Sequence, residues 1–346
     1  MKIQGRPIGA GHPCYVIAEL SANHGGSLER ALRIVRAAKE AGADAIKLQT
    51  YTADTMTLNV DNDYFCIKGG LWDGQHLYQL YQIASTPWEW HKVIKEESER
   101  LHMHFFSTPF DETSVDFLES LGVGVYKVAS FELVDDPLLV KIAQTKKPVI
   151  MSTGMATLDE IQHAVSVLSA NGTTELALLK CVSAYPAPAQ DMHLRTMADM
   201  RLRFKCPVGL SDHTLGPTVA VAAVALGADL IEKHIKLNQE DDTPDAAFSM
   251  APDAFGEMVQ ALRLTESALG QVHYQQTEQE TKSLVFRRSI FVSQDIKKGH
   301  TFSRDNIRVV RPGHGLSPKY YEQVLGTKSR QDIARGTPLT EAMIDA

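Results

Sequence analysis

Eight short apolar runs follow one another along this chain, and nearly every one ends on a polar or ionisable side chain. They are Cys14–Glu19, Ala45–Gln49, His104–Thr108, Val125–Ser130, Pro148–Ser152, Leu176–Cys181, Pro207–Ser211 and Leu230–His234. At or just past their ends stand Glu19, Lys47, Thr108, Lys127, Ser152, Ser183, His213 and His234. Helical periodicity follows most of the runs. In Leu28–Ala41, Ser27 is placed to cap the helix and Gly42 to stop it. Asp111–Leu121, Thr157–Ala170, Pro217–Leu226 and Pro252–Leu269 read the same way. Alternation of strand and helix implies a parallel sheet. Eight such units predict an α/β chain folded as a (β/α)₈ TIM barrel, whose chemistry sits at the C-terminal ends of its strands.

The 346 residues exceed what such a barrel needs, about 250. The pattern changes after Leu269, and three segments are expected: a barrel over residues 1–270, a polar linker with some helix over 271–283, and a small β-rich module over 284–346. Two long excursions follow barrel strands, Tyr51–Gln75 and Asn238–Phe248, and loops of that length in a compact domain are usually functional or disordered. A net charge of −7 with no basic run argues against nucleic acid as the partner. It leaves room for an anionic small substrate held by a few buried lysines. Cys14, Cys66, Cys181 and Cys206 form no C-x-x-C pair and read as reduced core thiols. The N-terminal MKIQGRPIGAGHP has no apolar core of a signal peptide, and no run reaches the roughly 18 apolar residues of a membrane span. A cytoplasmic protein without a membrane partner is therefore expected.

His213 and His234 lie just past run seven and at the end of run eight. Neighbouring strands run about 4.8 Å apart, so two imidazoles there can reach one divalent ion and leave positions open for water and substrate. A hydrogen-bonded histidine pair is the alternative. Lys47 and Lys127 each end an apolar run, and Thr108, Ser130, Ser152 and Ser211 add hydroxyls to the same rim. That set suits a small phosphorylated acid, with snorkelling lysines or a Schiff base as the other readings. Glu19 is placed to move protons or to pair with a barrel lysine. No glycine-rich nucleotide loop is present.

The ordered motifs AELSANH at 18–24, KLQTY at 47–51, STPFD at 107–111, YKVAS at 126–130, STGMATL at 152–158, GLSDHT at 209–214 and EKH at 232–234 resemble the sialic acid synthase family. RRS at 287–289 and RPGHG at 311–315 resemble its C-terminal SAF, or antifreeze-like, domain. KGGLWDGQHLYQLY at 68–81 and TPWEWHK at 86–92 are similar to the pseudaminic acid branch and fall where sugar choice would be made. The resemblance implies an enzyme that condenses phosphoenolpyruvate with an acetamido sugar, 2,4-diacetamido-2,4,6-trideoxy-L-altrose in this branch. The neighbouring possibilities are the neuraminate or legionaminate reaction on another sugar, or a non-catalytic carbohydrate-binding protein. It implies that His213 and His234 hold Mn²⁺, with Mg²⁺ or Co²⁺ as alternatives. Lys47, Thr108, Lys127, Ser130, Ser152 and Ser211 would bind phosphoenolpyruvate, as would Ser183, where neuraminate synthases carry an asparagine. Glu19 would position or activate water, and Gln49, Tyr185 and Asp245 would face the sugar, Asp245 in a Thr-Pro-Asp that replaces the family's frequent Gly-Pro-Asp. Arg311 would reach the active site of a partner subunit in a domain-swapped homodimer.

Overall fold

The computed structural model describes residues 1–345. The chain forms two compact units, one holding Met1–Gly270 and the other beginning at Gln271.

In the first unit eight parallel strands close into a barrel: β1 (Tyr15–Glu19), β2 (Ala45–Thr50), β3 (His104–Pro109), β4 (Tyr126–Val128), β5 (Val149–Ser152), β6 (Leu176–Cys181), β7 (Val208–Asp212) and β8 (Leu230–His234). Closure pairs β8 with β1 in register from Leu230–Tyr15 to His234–Glu19. Outer helices follow the strands: α1 (Leu28–Glu40), α2 (Trp88–Arg100), α3 (Glu112–Ser120), α4 (Asp136–Gln144), α5 (Leu158–Ala170), α6 (Thr196–Phe204), α7 (Thr218–Ala225) and α8 (Pro252–Leu269). Local chemistry starts several of them. Ser27 Oγ accepts from the Arg30 amide, Asp111 caps α3, and Thr157 with Glu160 forms a capping box on α5.

Two apolar layers result from the two-residue alternation of the strands. Val16, Ile46, Phe105, Val128, Met151 and Leu210 face the helices. Ile17, Ala45, Phe106, Ile150, Leu179 and Leu230 fill the barrel interior. The N-terminal hairpin, Lys2–Ile3 paired with Arg6–Pro7, sends Ile3 and Ile8 into that interior layer. Most expected strand ends agree within one residue, but β4 stops at Val128, and Ser130 instead begins the 3₁₀ turn Phe131–Val134.

The second unit pairs β9 (Ser289–Val292) antiparallel with β10 (Ile307–Val310) around Ile290, Val292, Phe302, Ile307, Val324 and Leu339. A short helix, Glu278–Ser283, lies in the stretch expected as linker. Among the described residues no helix is long and apolar enough to cross a membrane.

Candidate active site

The inward parity that makes the apolar interior continues upward into a polar layer. Two positions beyond Ile17, Ala45 and Phe106 stand Glu19, Lys47 and Thr108; two beyond Ile150, Leu179 and Leu230 stand Ser152, Cys181 and Glu232. Lys127 and Ser211 complete the layer from β4 and β7, and above it opens a cavity of about 660 Å³.

The layer is an ionic network out of water. Lys47 Nζ lies 2.6 Å from Glu19 Oε2 and 3.6 Å from Glu232 Oε1, and donates to Thr108 Oγ1 at 3.2 Å. Lys127 Nζ donates to Ser152 Oγ at 2.7 Å and to the Val128 carbonyl at 2.9 Å, with Glu232 Oε1 at 3.9 Å. Ser211 donates to Glu232 Oε1 at 3.2 Å. Burial pushes the Glu19 carboxyl up to about 7 against the pull of Lys47. Burial also opposes ionisation of Glu232, but Lys127 and Lys47 outweigh it and hold this carboxylate below its usual range. Desolvation lowers Lys127, whereas in Lys47 the carboxylates of Glu19 and Glu232 overcome desolvation and raise it. Glu19 does not line the cavity; it is fully buried against Lys47, and its Oε1 has no hydrogen-bond partner.

Beside this network Ser130, Ser183 and Gly154 form a small cradle. The Gly154 amide donates to Ser130 Oγ at 2.9 Å. A Cβ on residue 154 would collide with Ser183 Oγ and come within 2.8 Å of Ser130 Oγ, so this approach requires glycine.

The two histidines converge as expected, with ring centroids 5.4 Å apart. They do not hydrogen-bond to one another. His213 Nδ1 donates to the Val182 carbonyl at 3.0 Å, which leaves its Nε2 as a lone-pair donor. His234 is held well below its usual pKa by burial, then by the positive neighbours around it, and its buried Nδ1 has no partner. Burial opposes protonation of His213, but Cys181 and the Val182 carbonyl outweigh it and raise its pKa. With His213 Nε2 and His234 Nδ1 uncommitted, the two imidazoles fit a divalent ion, whose binding would displace a proton from His213. Among the described residues no third His, Cys, Asp or Glu joins them to make a fuller ligand set.

Gln49, Tyr185 and Asp245 also line the cavity. The Tyr185 ring packs tilted against His213 and Phe248, with centroids 4.6 and 5.0 Å away. Asp245 accepts from Ser21 Oγ and from the Ala22 amide, and burial raises its carboxyl. The excursion after β2 is ordered by its own bonds: Ile67 and Gln75 are joined by an amide–carbonyl bond of 2.8 Å, and Cys66 bridges His76. A helix, Leu77–Ala84, follows it.

Glu232, Cys181 and Glu132 are among the cavity residues that the sequence did not single out as candidates. Glu232 and Cys181 are legible in retrospect by counting back two from His234 and two from Ser183. Cys181, read as a core thiol, is a wall of the cavity; Ser183 stands behind it in the Gly154 cradle and is not part of that wall. Glu132 lies in the turn begun by Ser130; burial raises its carboxyl to about 7, and its Oε2 is unpartnered. No local signal marks Glu132. Arg311 lies exposed on the second unit.

A family model described as NeuB family matches residues 34–274, and a model of the SAF domain matches residues 287–345. The pseudaminic acid synthase of Campylobacter jejuni (strain 81-176) is 47% identical over 328 residues, which cover 95% of this chain and 96% of that protein. The pseudaminic acid synthase of Helicobacter pylori (strain 26695) is 45% identical over 329 residues, 95% of this chain and 97% of that one. Among solved structures, the N-acetylneuraminic acid synthetase of Leptospira borgpetersenii in complex with citrate matches with a TM-score of 0.73 at 30% identity, over 82% of this chain and 94% of that chain.

Proposed function

This chain belongs to the NeuB family, and on that premise we propose that it condenses phosphoenolpyruvate with 2,4-diacetamido-2,4,6-trideoxy-L-altrose to give pseudaminic acid and phosphate. The observation that carries this reading is one cavity holding two buried ammonium groups and several hydroxyls beside two converging imidazoles.

Lys127, Ser152 and Ser130, its Oγ held by the Gly154 amide, supply donors for one anionic group of phosphoenolpyruvate, and Lys47, Thr108 and Ser211 supply them for the other. His213 and His234 would hold a divalent ion, Mn²⁺ in this reading, which would supply Lewis-acid polarisation of the sugar's aldehyde carbonyl. Gln49, Tyr185 and Asp245 orient the open-chain sugar so that its aldehyde carbon meets C3 of phosphoenolpyruvate. The C3–carbon bond forms while the aldehyde oxygen gains a proton and C2 becomes an oxocarbenium. Water adds to C2 and loses a proton, and the C2–O bond to phosphate then breaks. Glu19, buried behind Lys47 with a pKa of about 7, takes that proton through Lys47, whose Nζ lies 2.6 Å from Glu19 Oε2 and lines the cavity. No lysine Schiff base enters, because the enol is already present in the substrate. Label from ¹⁸O-water is expected in the sugar acid; label in phosphate would exclude C–O cleavage.

In the functional form, a homodimer in the cytoplasm, Arg311 of the partner subunit meets the sugar. Phosphate release with Mn²⁺, offering the diacetamido sugar and N-acetylmannosamine in parallel, tests the substrate. Turnover of the first alone is expected. Turnover of N-acetylmannosamine alone would keep the chemistry and overturn the sugar.

Lys127→Met tests the anion site. Loss of a preorganised charged donor is expected to lower kcat/KM for phosphoenolpyruvate by about 10²–10³-fold. The fold should survive, because Glu232 keeps Lys47 and Ser211. A variant within a few-fold of wild type would remove Lys127 from phosphoenolpyruvate binding.

A further inference from the structure

We propose that Trp72 and the apolar wall around it form the subsite for the methyl groups of the acceptor sugar, and that Trp72 is a specificity-determining residue. This rests on the substrate reading above and assigns it to particular side chains.

The cavity has two chemically distinct ends. Its floor is the ionic layer of Lys47, Lys127 and Glu232. Its upper wall is apolar, and most of it comes from the excursion after β2 and the helix behind it: Met56, Ile67, Trp72, Leu77 and Leu80. An all-hydroxyl sugar would gain little from such a wall. A sugar carrying two acetamido methyls and a deoxygenated C6 presents three apolar groups, one for each of which burial is favourable.

Trp72 is the residue that ties this wall to the rest of the site. Its indole Nε1 donates to the Pro244 carbonyl at 3.2 Å, in the loop after β8 and next to Asp245. Its ring lies 5.7 Å from Tyr185, on the segment after β6. One side chain thus spans from the β2 excursion to the two loops that carry sugar-facing residues. The hairpin that presents it is closed by two backbone bonds between Ile67 and the Gly74–Gln75 pair, 2.9 and 2.8 Å. The wall is therefore preformed and does not need the sugar to assemble it. A methyl-sized difference in a hydrophobic pocket separates substrates by about 10–200-fold.

The test is steady-state phosphate release by wild type, Trp72→Ala and Trp72→Phe with Mn²⁺ and saturating phosphoenolpyruvate. The acceptors are the diacetamido sugar and N-acetylmannosamine. Trp72→Ala is expected to raise KM for the diacetamido sugar by about 10–200-fold, with KM for phosphoenolpyruvate unchanged and any preference over N-acetylmannosamine reduced. Trp72→Phe, which keeps an aromatic face and loses only the bond to Pro244, is expected near wild type. Leu77→Ala, on the same wall, should move KM in the same direction as Trp72→Ala if the alanine variant at 72 fails to fold. An unchanged sugar KM in both alanine variants would overturn the inference. So would a parallel rise for phosphoenolpyruvate, which would make Trp72 a closure element only. Failure of the substrate reading shows in wild type alone, as turnover confined to N-acetylmannosamine, and it would take this subsite with it.

Discussion

Glu19→Gln is expected to lower kcat by about 10²–10⁴-fold, the range of a positioned proton-transfer group, and to erase a limb of the pH profile near 7. Burial raises this carboxyl to about 7 in the folded protein, so at pH 6 it is mostly protonated and at pH 8 mostly ionised. In the proposed reaction the carboxylate is the final acceptor of the proton that water gives up through Lys47, so activity of the wild type should rise through pH 7 and level above it. A second readout does not depend on turnover. A carboxyl with a raised folded pKa binds its proton more tightly folded than unfolded. Its stabilisation is complete below the ordinary carboxylate range and is lost as pH rises through about 7. Glutamine cannot ionise, so the Tm of the variant relative to wild type should become more favourable from pH 5 to pH 8. A pH profile of unchanged shape in the variant would show that the limb belongs to another group.

The second large effect is on stability. Lys233→Met is expected to destabilise the barrel by about 3–5 kcal/mol, because it strands a buried carboxylate. Lys233 Nζ and Asp212 Oδ2 lie 2.8 Å apart, both side chains with no exposure. The outward parity of β7 and β8 points this pair away from the cavity, while Ser211 and Glu232 point into it. Lys233 also donates to the Thr214 carbonyl, and Asp212 Oδ1 accepts from the Thr214 amide at 2.9 Å. The pair therefore clamps the turn carrying His213 to the strand carrying His234. The double variant Asp212→Asn with Lys233→Met removes both charges and should recover much of the loss. The urea midpoint of the three proteins reads this directly; a single variant as stable as wild type would show that the pair is not a clamp.

Much of the candidate site was legible because strand parity is local. Once β1 is placed at Tyr15–Glu19, the inward set Ile17 and Glu19 follows, and the same count yields Lys47, Thr108, Lys127, Ser152 and Ser211. Glu232 obeyed the same count but was overshadowed by the histidine two residues on. Ser183 and Cys181 exchanged places for a related reason: the last inward residue of β6 is Cys181, and the chain has already left the strand at Ser183. Glu132 sits on a 3₁₀ turn, where neither period of two nor of 3.6 assigns a direction.

The repeating units, the polar strand ends and the break after the barrel are written locally, because each depends on neighbours a few residues away. Which of those ends meet is a property of the closed barrel. Closure of β8 onto β1 sets Glu19 beside His234, more than two hundred residues apart in the chain. The reach of Trp72 to Pro244 likewise joins two loops across the barrel mouth. Both depend on the shear and closure of the whole sheet, a non-local quantity that no short window of sequence contains.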